Sequence, residues 1–210
     1  MEYKQFTLLS DYQTNCYLLW DEASKEALII DAADQSVEIK NFIEKNDLTL
    51  KYILNTHGHG DHIGGNRFFK DLFPQAKVGI HEKDADFLLK PNLNLSLYFD
   101  NPVTSPSAEF YLEDDALIHL GASQIRVIHT PGHTPGGVSL YAKPYLFSGD
   151  TLFAEEVGRT DFPGGSFAVL IESIKNKLFS LPEETIVLPG HGPTSTIGEE
   201  RRYNPYVGEL

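Results

Sequence analysis

The sequence predicts a protein of the α/β class in the broad sense, and more narrowly of the α+β class, in which helices cover layers of mixed β-sheet. Short apolar runs that are typical of strands cluster in each half of the chain, within residues 6–30 and 116–147, and rarely alternate with helical patterns. Amphipathic helical spacing occurs at residues 37–43 and 166–180. Because the 210 residues contain no linker-like or low-complexity stretch, we expect one domain over residues 1–210.

The first half of the chain alternates apolar runs with polar turns. The runs predict strands at residues 6–9, 16–20, 27–30, 50–54 and 78–80, the first three as an antiparallel meander. Helices are predicted at residues 37–43, 62–73 and 82–90. Ser36 can cap the first of these helices, and Pro74 ends the second.

The second half begins with a long loop and then returns to strands. Residues 91–107 are rich in Pro, Asn and Ser but include Tyr98 and Phe99. Long loops are functional or disordered, and disordered segments are poor in aromatic residues, so we expect this loop to pack beside a pocket. The later elements are predicted as strands at 116–120, 123–128, 138–141, 145–147 and 184–188, and a helix at 166–180. The tail, residues 198–210, is assigned no element.

The charge balance argues against polyanionic partners. The chain has 17 basic and 30 acidic residues, so its formal net charge is −13 at pH 7. This charge repels phosphate backbones and anionic lipid surfaces, so we expect no nucleic-acid partner and no membrane association. No apolar run approaches the ~20 residues of a membrane span, and the N-terminal residues lack a signal-peptide pattern.

The single cysteine indicates a reducing compartment. Cys16 cannot form a disulfide within one chain, and it lies in an apolar run. Free cysteine packs as a small hydrophobic residue, so we expect a buried structural thiol, with a nucleophile or a metal ligand as the alternative. Together with the missing signal-peptide pattern, this predicts a cytoplasmic protein.

One turn of the chain concentrates potential metal ligands. His57, His59, Asp61 and His62 fall within six positions, directly after an apolar run. Imidazole nitrogen and carboxylate oxygen are ligands that Zn, Fe and Mn accept. Only eight histidines occur in the chain, and three of them lie in this turn. The concentration favours a metal site over a polar surface loop.

Three further strand ends carry a single metal-capable residue beside Gly or Pro. These residues are His133, Asp150 and His191. Each is a weak signal alone, because turns favour such residues anyway. Taken with the first turn, the four strand ends could converge on one rim, since loops on a rigid scaffold often supply a common site.

The order of these residues resembles a known family signature. The pattern H-x-H-x-D-H, followed by a lone His, a lone Asp and a lone His, is that of the metallo-β-lactamase superfamily, and the resemblance covers essentially the whole chain. Residues 15–17, 149–153 and 158–165 are similar to the glyoxalase II (hydroxyacylglutathione hydrolase) branch, especially its short single-domain members. The resemblance implies a four-layer αββα sandwich with the site at one edge of two mixed sheets.

The resemblance also implies two divalent metal ions, zinc first, with iron or manganese as alternatives. The residues it assigns are His57, His59 and His133 for the first metal, Asp61, His62 and His191 for the second, and Asp150 as the bridge. Asp61 has a further, catalytic interpretation, in which it orients hydroxide through a hydrogen bond. Two divalent ions facing two carboxylates leave a net charge of about +2, which lowers the pKa of water and generates a hydroxide between the metals at neutral pH.

The implied activity is hydrolysis of a small-molecule acyl thioester, such as a 2-hydroxyacyl-glutathione. Thiolate is a good leaving group, so two metals that activate water and stabilise an oxyanion suffice. Classical glyoxalase II carries a C-terminal helical domain whose basic residues hold glutathione, whereas this chain ends about twenty residues after His191. We therefore expect substrate recognition elsewhere. The candidates are loop 91–107, segment 153–162, Lys143, Tyr145, Arg159, Arg201, Arg202 and the tail tyrosines.

Three histidines match no ligand position of the family. His129 precedes the turn that carries His133, so it could orient a ligand from behind. His81 and His119 are expected to be ordinary side chains.

Four other functions compete with thioester hydrolysis. A persulfide dioxygenase of the same fold would hold one iron with His57, His133 and Asp150. A nuclease or phosphodiesterase conflicts with the net charge of −13. Diiron electron carriers of this fold have Glu where His59 stands, and exported β-lactamases have a signal peptide.

Overall fold

Two mixed β-sheets form the centre of the computed structural model, which describes residues 1–98 and 102–208. The strands of the first sheet are β1 Glu2–Leu8, β2 Thr14–Trp20, β3 Glu26–Ile30, β4 Thr49–Leu54, β5 Lys77–Ile80 and β6 Phe110–Tyr111. Those of the second are β7 Leu117–Leu120, β8 Ser123–His129, β9 Val138–Ala142, β10 Tyr145–Gly149, β13 Ile186–Pro189 and β14 Ser195–Thr196. A separate hairpin is formed by β11 Leu152–Phe153 and β12 Glu156–Val157.

The helices are short and lie between these strands in the chain. The α-helices are α1 Val37–Lys45, α2 Gly60–Ile63, α3 Asn66–Leu72, α4 Phe167–Asn176 and α5 Ile197–Tyr203. The 3-10 helices are Glu82–Leu88, Ser96–Tyr98 and Leu178–Ser180. Ser36 caps α1 as expected, since its side chain accepts a hydrogen bond from the Ile39 N–H.

Both sheets combine parallel and antiparallel pairs. The first sheet has the order β1 to β6, antiparallel from β1 to β3 and parallel from β3 to β6. The second has the order β14-β13-β10-β9-β8-β7, and its parallel pair is β10 with β13. The prediction of mixed sheets is confirmed.

Three apolar clusters hold four layers together. The first packs the outer face of the first sheet, through residues such as Ile53, against Ile39 of α1 and Phe69 of α3. The second lies between the sheets, and the third packs the outer face of the second sheet against α4 and α5. Each fully buried Leu, Ile or Phe side chain contributes roughly 1.5–3 kcal/mol to folding. The arrangement is the four-layer αββα sandwich that the resemblance implies.

The helix predicted at residues 62–73 is wrong in one respect, because the structure divides it. α2 ends at Ile63, and α3 begins at Asn66. A Cβ atom at Gly64 would lie 2.4 Å from the Ala33 carbonyl oxygen, and one at Gly65 would lie 2.3 Å from that of Asp34. The loop after β3 thus approaches both glycines too closely for a side chain, and the Gly65 N–H donates to the Ala32 carbonyl at 2.7 Å instead of continuing the helix.

Other differences concern elements that are too short for a pattern to show. The helix predicted at residues 82–90 is a 3-10 helix, and the one predicted at 166–180 gives way to a 3-10 turn after Asn176. Strands β6, β11, β12 and β14 have two residues each and were not predicted. The tail forms α5, and residues 209 and 210 of that predicted tail lie outside the described residues.

Cys16 is fully buried, as expected for a structural thiol. Burial, reinforced by the Asp31 carboxylate, raises the pKa of this thiol well above its ordinary value. Thiolate is the nucleophilic form of cysteine, so this residue is unsuited to nucleophilic chemistry.

Within the described residues, no helix has the length and apolar character needed to cross a membrane.

Candidate metal centre

The predicted ligand residues follow four strands that end at one edge of the sandwich. His57 lies beyond β4, His133 beyond β8, Asp150 beyond β10 and His191 beyond β13. Backbone hydrogen bonds join the two sheets at this edge: the Val138 N–H donates to the Thr56 carbonyl at 2.8 Å. The expected convergence on one rim is therefore observed.

All seven side chains come together in three groups. Within each group, one ligand atom per residue lies within 4.8 Å of the others; the groups are His57, His59 and His133, then Asp61, His62 and His191, and finally His57, His62 and Asp150. The first two groups coincide with the two ligand sets that the resemblance implies. Asp150 lies between them, and its Oδ2 atom is 3.6 Å from the Nε2 atoms of both His133 and His191.

The hydrogen-bonding pattern of these side chains fits bound cations. Nε2 of His57 and Oδ1 of Asp150 are buried without a hydrogen-bond partner among the described residues. Nε2 of His133 lies 2.9 Å from Nδ1 of His59. Nδ1 of His133 donates to the Arg159 carbonyl at 2.7 Å, so the ring turns Nε2 toward His59. A metal ion bound among these side chains would give the buried His57 Nε2 and Asp150 Oδ1 atoms the partner that they lack.

In the second group, a hydrogen bond at Nδ1 likewise fixes which ring nitrogen faces the cluster. Nδ1 of His191 donates to the Tyr12 carbonyl at 2.9 Å, which turns Nε2 toward the cluster. That Nε2 atom lies 3.2 Å from Nε2 of His62. The two rings thus direct their Nε2 atoms to one point.

Asp31 orients two of the rings, although the sequence interpretation gave it no role. This buried carboxylate accepts hydrogen bonds from the Thr56 N–H and hydroxyl, each at 2.7 Å, and from Nδ1 of His62 at 3.0 Å. The Thr56 oxygen in turn accepts from Nδ1 of His57 at 3.1 Å. Both rings therefore turn Nε2 toward the centre. The available signal was an acidic residue directly after the buried strand β3.

The electrostatics of the centre favour positive charge at its middle. Burial, together with neighbouring imidazoles, holds the pKa of His57 well below its usual range and lowers the pKa of His59 to about 3. Burial alone would lower the pKa of His191, but the Asp150 and Asp61 carboxylates raise it to about 11. Despite burial, the Asp150 pKa lies well below its usual range because of the surrounding histidines. The carboxylates are ionised and attract cations.

Asp84 is a second residue that the sequence interpretation missed. It lies in the 3-10 helix Glu82–Leu88, is buried, and accepts hydrogen bonds from the Gly58 N–H at 3.1 Å, the Thr134 hydroxyl at 2.7 Å and the Gly136 N–H at 2.6 Å. Gly58 separates His57 from His59, and Thr134 follows His133. One carboxylate therefore joins the two turns that carry the first ligand group.

We expect Asp84→Ala to reduce the metal content of the protein, because the first ligand group loses the carboxylate that joins its two turns. The change leaves three donors without an acceptor, and each buried unsatisfied donor costs about 1–3 kcal/mol. Elemental analysis and urea unfolding measure the effect, and adding His191→Ala to the variant should lower the metal content further. Asp86→Ala is the matched control, because Asp86 is on the same 3-10 helix but exposed and paired with Lys90. Full metal content in Asp84→Ala would contradict the role of this carboxylate.

A cleft of about 1100 Å³ opens over the ligand groups. Its walls include residues 94–96 and 102–104, so the loop predicted to pack beside a pocket does so in its described part. Phe99, one of the two aromatic residues behind that prediction, lies outside the described residues. Segment 153–162 contributes Phe153, Glu156, Val157, Arg159 and Phe162 to the lining of the same cleft.

Several candidate recognition residues lie away from the cleft lining. Tyr145 packs against Tyr3 in the cluster between the sheets, with ring centroids 4.8 Å apart. Lys143, Arg201, Arg202 and the tail tyrosines are likewise absent from the cleft walls, and Arg202 pairs with Glu183. Arg159 does line the cleft, but its guanidinium is paired with Asp161.

The remaining histidines hold no ligand position. His129 donates from Nε2 to the Pro135 carbonyl at 3.1 Å, so it contacts the turn of His133 and not a ligand ring. Its ring stacks on that of His81, with centroids 4.1 Å apart. His119 is exposed in β7.

The sequence matches the Metallo-beta-lactamase superfamily over residues 9–191. It is 37% identical over 200 residues to hydroxyacylglutathione hydrolase GloC of Haemophilus influenzae, covering 93% of both chains. The crystal structure of the BLEG-1 B3 metallo-beta-lactamase is 40% identical and superposes with a TM-score of 0.91, covering 98% of this chain and 99% of that one. TTHA1623, solved in a di-iron-bound form, is 33% identical with a TM-score of 0.85, covering 97% and 99%.

Proposed function

Because this chain belongs to the metallo-β-lactamase superfamily of metallohydrolases, we propose that it is a binuclear hydrolase of acyl thioesters, of the glyoxalase II type. The observation that carries the proposal is the convergence of seven His and Asp side chains, with ring nitrogens and a buried carboxylate oxygen turned to a common centre. A relative named hydroxyacylglutathione hydrolase, matched over 93% of its length, supports the reaction type. The protein is proposed to act as one domain, on a small molecule, in the cytoplasm.

Each side chain has a proposed role. His57, His59 and His133 would hold the first metal, and Asp61, His62 and His191 the second, with Asp150 between them. Zinc is the first choice, and iron is the main alternative, since TTHA1623 was solved with two irons. When bound, such ions supply a nucleophile from water at neutral pH and polarise the thioester carbonyl.

The side chains of the protein would orient the attacking water and hold the substrate. Oδ2 of Asp61 lies 3.4 Å from Nε2 of His191, and this carboxylate is partly exposed to the cleft. It can accept a hydrogen bond from attacking water and so fix its direction. The walls of the cleft hold the acyl group, and the thiolate leaves without help from an acid.

The test combines elemental analysis with assays on a panel of substrates. We expect two ions per chain and cleavage of acyl thioesters, followed through release of the thiol. His59→Ala should lose one ion and most activity, whereas His119→Ala, on the exposed strand β7, should behave as the parent. A protein that holds two ions but cleaves no thioester would contradict the proposal. If the protein cleaved a β-lactam in preference to every thioester, the result would favour β-lactamase activity, which the name of the BLEG-1 structure states.

The same samples test the alternative function, that of a persulfide dioxygenase. That enzyme would need one iron at His57, His133 and Asp150, and would consume oxygen with glutathione persulfide. The proximity of His59 to His133 and the complete second group favour two metals instead. Oxygen uptake by protein with one iron per chain would reverse this preference.

A further inference from the structure

Resting on the metal centre of the proposed function, we propose that Asn15, assisted by Tyr17, is a positioning residue. It holds the turn that carries His191 and so sets the affinity of the second metal site. Both residues lie on β2, and neither belongs to the groups of candidate ligands. Their role is to fix where a ligand stands, without contact with the metal.

His191 depends on its backbone more than other histidines of the centre do. Its side chain is 27% exposed, whereas those of His62 and His133 are 0% and 5% exposed. It belongs to the His191 turn, residues 189–192, which lies at the end of β13. Because fewer side chains surround the His191 ring, the position of this turn decides where its Nε2 atom lies.

The Asn15 side chain bonds to both ends of the His191 turn. Nδ2 of Asn15 donates to the Pro189 carbonyl and to the Gly192 carbonyl, each at 3.0 Å. Pro189 precedes His191 by two residues, and Gly192 follows it directly. A single amide group therefore spans the segment of backbone that carries this imidazole.

The amide of Asn15 is itself fixed from the other side. Its Oδ1 atom accepts hydrogen bonds from Nε2 of Gln5 at 2.7 Å and from the Thr7 hydroxyl at 3.3 Å. All four hydrogen-bonding positions of the amide are thus occupied, and the residue is buried. Both partners of Nδ2 are carbonyl oxygens, which only accept, so a single orientation of the amide fits.

The backbone of β2 and the Tyr17 hydroxyl strengthen the same attachment. The Asn15 N–H donates to the Gly190 carbonyl at 2.7 Å, and the Tyr17 hydroxyl donates to the Pro189 carbonyl at 2.7 Å. The Tyr17 ring is buried between the sheets, with its centroid 5.0 Å from that of Phe147. The core therefore fixes the hydroxyl that contacts the turn.

A displaced turn would change the geometry of the second ligand group. Nε2 of His191 lies 3.4 Å from Oδ2 of Asp61 and 3.2 Å from Nε2 of His62. Metal–ligand distances tolerate deviations of only about 0.2 Å, and the loss of residues that orient ligands typically costs about 10- to 100-fold in metal affinity. None of the hydrogen bonds of Asn15 to the described residues reaches the first ligand group. We therefore expect Asn15 to affect one ion and not the other.

The test measures the dissociation constants of zinc by competition with a chelator, in the full-length protein and without substrate. Asn15→Ala should raise the dissociation constant of one ion at least about tenfold and leave that of the other within about twofold. Tyr17→Phe removes a single hydroxyl, so it should weaken the same ion about threefold. It provides the test if Asn15→Ala does not fold. Unchanged dissociation constants in the folded variants would overturn the inference.

Asn204→Ala is the matched control for the loss of a buried amide. Nδ2 of Asn204 donates to the Glu156 carbonyl at 3.1 Å and to the Glu200 carboxylate at 2.8 Å, away from the turns that carry the candidate ligands. Its replacement should lower the free energy of unfolding but leave both zinc dissociation constants within about twofold. An equal loss of zinc affinity in Asn204→Ala would assign the effect of Asn15 to general destabilisation and overturn the inference.

A double-mutant cycle with His191→Ala shows whether Asn15 acts through His191. In the His191→Ala background, Asn15→Ala should change the affinity for the remaining zinc by less than about twofold, because the ligand that it positions is gone. In cobalt-loaded protein, the visible absorption depends on the ligands, so Asn15→Ala should shift the spectrum toward that of His191→Ala. A tenfold loss of zinc affinity that persists in the His191→Ala background would overturn the inference.

The possible results separate this inference from the proposed function. Two zinc ions with the expected changes in affinity, but no thioester cleavage, would contradict the hydrolase and leave the role of Asn15 standing. Thioester cleavage by a parent protein whose zinc affinities do not change in the Asn15 and Tyr17 variants would contradict the role of Asn15 alone. A protein that binds no zinc, iron or manganese would contradict both.

Discussion

Replacing Asp150 with asparagine is expected to lower kcat/KM for thioesters at least about a thousandfold, equivalent to about 4 kcal/mol in the barrier. The carboxylate lies between the two ligand groups, and one of its oxygens is buried without a hydrogen-bond partner among the described residues. Asparagine keeps the volume but removes the charge that both ions would share. Elemental analysis should show fewer than two ions per chain, and steady-state kinetics should show the loss in kcat.

Asparagine is chosen so that a loss of activity does not simply reflect misfolding. A Cβ atom at Gly190 would lie 2.3 Å from Oδ1 of Asp150, so a side chain larger than aspartate would not fit there. Urea unfolding in excess chelator compares the free energies of unfolding of the metal-free proteins, and Asp47→Asn is the control for the same change in charge at an exposed position. Two ions and parental activity in Asp150→Asn would show that this residue does not bridge the metals.

Replacing Asp31 with alanine is expected to destabilise the protein by about 3–5 kcal/mol and to weaken both metal sites. Three donors lose their acceptor, and breaking a buried hydrogen-bonded charge network has costs of this size. His62 loses its orientation directly, and His57 loses it through Thr56. Urea unfolding and competition with a chelator measure the two effects separately.

Asp34→Ala is the matched control for stability. Asp34 is three residues further along the same loop but exposed, so its replacement should stay within about 0.5 kcal/mol. An Asp31→Ala variant with unchanged unfolding and metal affinity would contradict the assignment of Asp31 as the residue that orients these rings. The free energy of unfolding of Asp31→Asn should lie between those of the parent and the alanine variant, because an amide oxygen still accepts a hydrogen bond.

The candidate ligand residues could be selected from the sequence because four of them are close together in the chain. His57, His59, Asp61 and His62 share one turn, so their chemistry is visible without knowledge of the fold. Longer strands such as β2 and β3 could be predicted because they are largely buried apolar runs. The mixed sheets follow from the grouping of such runs in each half of the chain.

The supporting residues could not be predicted, because their partners are distant in sequence. Asp31 meets His62 across 31 residues, and Asp84 meets Thr134 across 50. An isolated acidic residue after a strand is common, and only tertiary structure shows what it accepts. The break between α2 and α3 has the same origin, since the Gly65 N–H donates to the carbonyl of Ala32, 33 residues earlier in the chain.

The backbone bridge between Thr14 and His191 has a consequence for folding. It connects positions near the two ends of the chain, at the edge where the ligand groups lie. The complete cluster can exist only after both halves have assembled, because the first half supplies four of the seven candidate ligand residues and the second half three. Under the proposed function, ion binding and global folding are therefore thermodynamically linked, and an ion at a thousand times its dissociation constant would add about 4 kcal/mol to the free energy of unfolding. Metals bound there would act as a cross-link between the halves, and their loss would lower catalysis and the stability of the fold together.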